Sequence, residues 1–128
     1  MIIHAHELDA ESTYKLLTGV VVPRPIAWVS TRSPEGVVNL APFSAFTFVS
    51  NKPPMLGINI GRKAGRRKDT ANHILATREY VVHIADMALT EAVHASAVEH
   101  PPEVSEAELL GLETAASLQV AVPRLTAP

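Results

Sequence analysis

Cysteine is absent from all 128 residues. Its absence excludes disulfide frameworks, thiol nucleophiles, zinc ribbons and cysteine-ligated clusters together. Long apolar runs are missing too, since no stretch approaches the ~18 residues of a membrane span. The opening segment, Met1 to Glu11, is mixed and acidic, with neither a basic start nor an apolar stretch behind it. No signal peptide is therefore expected, and the cytoplasm is the expected location. There is no overall excess of positive charge. A net charge of −2 speaks against general nucleic-acid binding.

What is present is a globular composition, 47% apolar and 19% charged, outside the range of disordered chains. The length fits one domain over residues 1–128. A chain of this size buries roughly two-thirds of the surface its unfolded form exposes, so it needs no covalent staple. The charge is uneven. Residues 1–80 hold ten Lys or Arg against six Asp or Glu, whereas residues 81–128 hold one Arg against seven acids.

The order of elements reads as follows. Asp9 or Ser12 caps a short helix that Gly19 ends, with Tyr14, Leu16 and Leu17 on its apolar side. Pro23 and Pro25 forbid a helix around Arg24. Ile26 to Thr31 reads as a strand, Ser33-Pro34-Glu35-Gly36 as a turn and Val37 to Leu40 as the return strand. Phe43 to Ser50 is a third extended segment, broken by Asn51-Lys52-Pro53-Pro54. Met55 to Ile60 is expected as a buried strand ended by Gly61. A basic loop, Arg62 to Lys68, precedes a helix over Thr70 to Thr77, capped by Asp69 or Thr70 and turning Ile74 and Leu75 inward. Tyr80 to Ile84 is a strand and Asp86 to Val98 a helix. A small helix spans Ser105 to Leu110, closed by Gly111, and Leu118 to Leu125 is extended around Pro123. The pattern predicts an α+β fold, mainly β, a small barrel with peripheral helices. The chain ends just after a strand candidate, so a domain short at its C-terminus is expected.

The sharpest chemical feature is the segment from Gly61 to Thr70, with five cations within the seven residues Arg62 to Lys68. A helix N-terminus follows, with free amides and a positive dipole, and Thr70 adds a hydroxyl. Such a group suits a phosphate, each charge-assisted hydrogen bond contributing roughly 1.5–3 kcal/mol. It also reads as a solvated basic loop, because exposed like charges repel by only about 1 kcal/mol in water. It is not a Walker loop. The second feature, Asn39-Leu40-Ala41-Pro42-Phe43-Ser44-Ala45-Phe46-Thr47, reads either as core strand or as an apolar wall for a flat aromatic ligand. Trp28 reads as core or interface. Glu106 and Glu108 read as an exposed acidic stretch. The six histidines show no metal-ligand spacing, the serines have no nucleophile-elbow context, and no side chain stands out as a general acid or base. A phosphate anchor and an apolar wall without acid–base machinery suit a protein whose cofactor carries the reaction.

Four stretches in order carry a resemblance. They are Pro23-Arg24-Pro25-Ile26-Ala27-Trp28-Val29-Ser30-Thr31, then Asn39-Leu40-Ala41-Pro42-Phe43-Ser44, then Lys68-Asp69-Thr70 ahead of a helix and Tyr80-Val81-Val82-His83-Ile84. Over roughly residues 12–125 the sequence resembles the flavin reductase-like, FMN-binding split-barrel family, the group of flavoredoxin and of the reductase components of two-component monooxygenases. The resemblance implies a split β-barrel homodimer with FMN at the subunit interface. Asn39, Ala41, Pro42, Phe43 and Ser44 would lie along the isoalloxazine ring, backbone amides toward its polar edge. Ser44 and Thr47 would serve the ribityl or phosphate end, Asn59, Gly61 and Arg62 would border the flavin, and Lys68 and Thr70 would hold the phosphate. It further implies NAD(P)H as donor and free flavin or a partner monooxygenase as acceptor. Family members usually continue into further barrel strands. The alternatives are a flavin-binding electron carrier without NAD(P)H activity and a polyanion-binding domain that uses the basic loop.

Overall fold

Two β-branched, mostly apolar segments flank the turn at Ser33–Gly36, and they pair as the sequence suggests. In the computed structural model, which describes residues 1–126, β1 (Ala27–Arg32) runs antiparallel to β2 (Val38–Phe43), with Thr31 opposite Asn39 and Trp28 opposite Pro42. Gly36 sits at φ 99° in the turn, a conformation that costs glycine little. β7 (Val81–His83) adds to the other side of β1, placing β1 in the middle of a three-stranded sheet in the order β2-β1-β7. That central position explains why Ala27 to Thr31 are buried on both faces.

Because side chains alternate along a strand, β1 feeds two cores. Trp28 and Leu40 point to one face, where Ala107 and Leu125 close over them. Ala27, Val29 and Phe43 point to the other, against Phe46, Ile58 and Ile60. The first face is covered by α3 (Thr90–Ala95), α4 (Glu106–Leu109) and the short ribbon of β8 (Thr114–Ala115) with β9 (Arg124–Leu125). On the second face α2 (Asp69–Thr77) packs against β1 and β2.

The remaining strands form separate hairpins. β3 (Phe46–Asn51) pairs with β4 (Pro54–Ile58). β5 (Arg62–Lys63) pairs with β6 (Arg66–Arg67), so the expected basic loop is a hairpin, with Ala64 and Gly65 both at positive φ in its turn. α1 (Ala10–Val20) is capped by Asp9, whose carboxylate accepts the Ser12 N–H at 2.7 Å.

Several expectations change. α1 passes through Gly19 to Val20, and Tyr14 and Leu17, expected on a packed side, are exposed. β4 ends at Ile58 rather than Ile60, and its Met55 and Leu56 are exposed rather than buried. Lys68, not Asp69 or Thr70, occupies the cap position of α2, and Leu75 faces solvent. The strand expected over Tyr80 to Ile84 is limited to Val81–His83. The helix expected from Asp86 to Val98 is a 3₁₀ turn, Met87–Leu89, followed by α3. Of Leu118 to Leu125, only Arg124–Leu125 is strand. The accessible surface, 9061 Å², exceeds the roughly 6,600 Å² expected of a folded monomer of this mass. Among the described residues no helix is long and apolar enough to cross a membrane.

Candidate functional site

β2 is an edge strand, and a cleft of about 190 Å³ runs beside it. Asn39, Ala41, Pro42 and Phe43 form one wall. Lys68 and Thr70 at the start of α2 form a second, joined by Lys63 and Arg67 from the β5–β6 hairpin. The segment Ser96–His100 after α3, with Glu106, closes the third.

The polar atoms of the cleft are ordered by buried hydrogen bonds. The Asn39 Nδ2 donates to Thr70 Oγ1 at 2.9 Å, and both residues are buried. A hydroxyl has one proton, so a Thr70 oxygen occupied as acceptor keeps its O–H for a ligand. Lys68 Nζ lies 5.6 Å from the centroid of the Phe43 ring, a cation held over the apolar wall. Glu99 accepts a hydrogen bond from Lys63, and this holds its carboxyl below the usual range, its exposure notwithstanding. Lys63 is thus balanced, and Glu99 also feels the charge of Lys68, while among the described residues Lys68 and Arg67 form no ion pair. Two cations, a hydroxyl donor and a helix N-terminus in one cleft make a donor set for an oxyanion, next to a flat apolar surface.

The backbone of the β2 edge is less available than expected. The Leu40 N–H donates to Glu106 Oε2 at 2.9 Å, and Pro42 has no N–H. Between Asn39 and Pro42 the edge therefore presents side chains, not amides. Glu106, expected in an exposed acidic stretch, is 6% exposed, drawn in by that amide. Ser96 Oγ is likewise committed. It accepts from Trp28 Nε1 at 2.8 Å and donates to Val93 O at 2.8 Å, so it is a structural link and not a nucleophile.

Of the residues singled out from the sequence, Asn39, Ala41, Pro42, Phe43, Lys68 and Thr70 come together in this cleft. The others lie outside its lining. Ser44 Oγ is 3.5 Å from Arg24 Nε, Thr47 donates to the Phe48 carbonyl, the Asn59 N–H pairs with the Ala45 carbonyl, and Arg62 reaches the Gly65 carbonyl beside exposed Gly61. Ser96, Glu99, His100 and Glu106 were not legible as site residues. They come from a segment with no motif, and only the fold brings it to β2. His4 and His6 are exposed, and among the described residues no group of three or more His, Asp or Glu is placed to hold a metal.

Comparison with known proteins agrees with this architecture. The model of the flavin reductase like domain matches residues 19–127. The protein YwrF of Bacillus subtilis is 45% identical over 122 residues, covering 95% of this chain and 60% of its own. Nitrilotriacetate monooxygenase component B from Bacillus cereus superposes with a TM-score of 0.93 at 40% identity, over 98% of this chain and 62% of its own. The 2-nitrobenzoate 2-nitroreductase NbaA of Pseudomonas fluorescens follows at 0.85 and 33%, over 98% and 60%. Two more distant structures share the fold alone. One is a Shewanella frigidimarina protein with a split barrel domain (TM-score 0.77, 17% identity, 98% of this chain and 63% of that one). The other is an FMN-binding protein from Thermus thermophilus (0.74, 21%, 99% and 64%). The chain belongs to the flavin reductase-like family, and its fold is the split barrel with peripheral helices. It spans about 60% of the length of the relatives it matches.

Proposed function

We propose that this chain binds FMN and works as a flavin reductase-like oxidoreductase. The observation that carries the reading is the shared cleft of Thr70 and Lys68, with Asn39 turning the Thr70 hydroxyl proton outward and Phe43 forming the wall beside them. That donor set fits a phosphomonoester, and the Ala41-Pro42-Phe43 surface fits the adjoining aromatic body. Family membership and the names of the neighbours support flavin as the ligand.

When bound, the flavin would supply the redox chemistry, hydride acceptance from NADH or NADPH and two-electron donation to free flavin or a partner monooxygenase. The chain's own residues bind and orient. Lys68 and Thr70 hold the phosphate, Asn39 orients Thr70, and Glu106 fixes the β2 edge. Ser44 and Thr47 are assigned to the ribityl or phosphate end and Asn59, Gly61 and Arg62 to the border of the flavin, outside the cleft of Lys68 and Thr70. A homodimer is supported by the surface excess and by the exposed Phe48, Val49, Met55 and Leu56 of the β3–β4 hairpin.

The test is a visible absorbance spectrum after incubation with FMN and desalting, followed by NADH and NADPH oxidation assays. A retained flavin band near one per chain, with nucleotide oxidation, is expected. Retained flavin without nucleotide oxidation overturns the reductase reading in favour of an electron carrier. No retained flavin on a folded protein overturns the site. Sedimentation equilibrium is expected to give twice the chain mass.

A further inference from the structure

Asn39 is not the only residue of the sheet that grips α2. Directly across the β1–β2 ladder from Asn39 stands Thr31, on the same face. Thr31 Oγ1 and His73 Nδ1 are hydrogen-bonded at 3.0 Å. Thr70 and His73 are three apart on α2, one turn along the same side. A cross-strand pair thus meets a helical pair through two parallel hydrogen bonds, Asn39 to Thr70 and Thr31 with His73. All four residues are at least nine-tenths buried.

The seating of α2 is polar rather than apolar. Its buried side chains are Thr70 and His73, its Leu75 is exposed, and its cap position carries a lysine that makes no side-chain capping bond. One hydrogen bond alone is a pivot, about which a helix can roll and slide. A second bond one turn away fixes both motions. The aim of Thr70 therefore depends on a residue that does not line the Thr70 cleft. His73 instead lines a neighbouring cavity of about 530 Å³ between α2 and the β1–β2 turn, with Glu35, Asn72 and Glu103.

We propose that His73, through Thr31, is a positioning residue for the phosphate end of the flavin site. It sets the roll of α2 so that the Thr70 hydroxyl points into the cleft. This rests on the reading that Thr70 and Lys68 receive a phosphate. His73 itself touches no ligand.

The experiment compares the affinities of FMN and riboflavin, which differ only in the phosphate, by quenching of flavin fluorescence. The proteins are wild type, Thr31→Val, His73→Leu and His73→Asn. Thr31→Val removes the hydroxyl at constant shape, and His73→Asn places a polar amide near the position of Nδ1. Thr31→Val and His73→Leu are expected to reduce the preference for FMN over riboflavin about tenfold, with riboflavin affinity unchanged. His73→Asn is expected to restore most of that preference. A preference unchanged in Thr31→Val overturns the proposal, as does a parallel loss of both ligands, which a merely structural role would give. If His73→Leu does not fold, Thr31→Val and His73→Asn decide the matter. A wild type that binds riboflavin as tightly as FMN overturns the phosphate reading beneath the proposal, a result distinguishable from the other failures.

Discussion

His83 stands directly opposite Trp28 across the β1–β7 ladder, and its ring bridges the sheet to the end of the chain. Nδ1–H donates to the Trp28 carbonyl at 3.0 Å, while Nε2 accepts the Leu125 N–H at 3.0 Å. One nitrogen must carry a proton and the other must not, so the neutral ring is the form that fits. Burial lowers its pKa, and the bond to Trp28 only partly offsets that. For His73, too, burial is the largest cause and lowers the pKa, against the raising effect of Asp69. Both folded values thus lie below the unfolded value of about 6.5. As pH falls through that value the unfolded chain takes up protons first, so stability is complete above it and declines below it. Urea unfolding between about pH 8 and pH 5 is expected to show this decline, and His83→Gln is expected to flatten it. An equal slope in wild type and variant would count against the assignment.

Lys68 and Thr70 are expected to act on flavin phosphate through charge-assisted hydrogen bonds. Each of Lys68→Ala and Thr70→Val should weaken FMN binding by about 10- to 100-fold, the size of one such bond. Isothermal titration with FMN checks this, and an unchanged affinity in the double variant contradicts the assignment.

Glu106 holds the edge of β2 through the Leu40 amide. In Glu106→Ala that buried N–H loses its acceptor, at a cost of about 1–3 kcal/mol. Glu106→Gln keeps an oxygen there and should recover most of it. Hydrogen exchange at the Leu40 amide gives the readout, fast in the alanine variant and protected in the other.

Trp28 joins β1 to the end of α3 through Ser96. Trp28→Phe removes the donor while retaining much of the apolar contact, and should cost less than Ser96→Ala, which leaves the buried tryptophan N–H without an acceptor at about 1–3 kcal/mol. Trp28→Ala should cost about 3–5 kcal/mol. Denaturant titrations of the three variants rank them.

The hairpin of β1 and β2 was legible because Pro34 and Gly36 punctuate two β-rich runs, and Asp9 was legible as a cap because its side chain acts three residues away. Lys68 and Thr70 were legible as a pair because they are neighbours in the chain. Asn39 was placed in the same site only by resemblance, since its contact with Thr70 spans 31 residues. Glu106 was misread because a carboxylate after two prolines has every local mark of a surface residue. Its burial depends on a backbone amide 66 positions away. Leu75 misled in the opposite sense, because α2 is seated by a threonine and a histidine, and an apolar residue on it is no guide to the inward face. Met55 and Leu56 read as core because hydropathy marks surface that avoids water without saying whether the cover comes from the same chain.

The β5–β6 hairpin sets Arg62 against Arg67 and Lys63 against Arg66, like charge facing like charge on every rung. Such rungs weaken a two-stranded ribbon, and this one is exposed throughout. To trypsin, which cuts after lysine and arginine, it is a cluster of adjacent targets on a loosely held strip. An anion seated between Lys68 and Arg67 would screen those charges and tighten the strip. The time course of tryptic nicking at residues 62–68 therefore serves as an occupancy gauge for the cleft, readable on a gel without any chromophore.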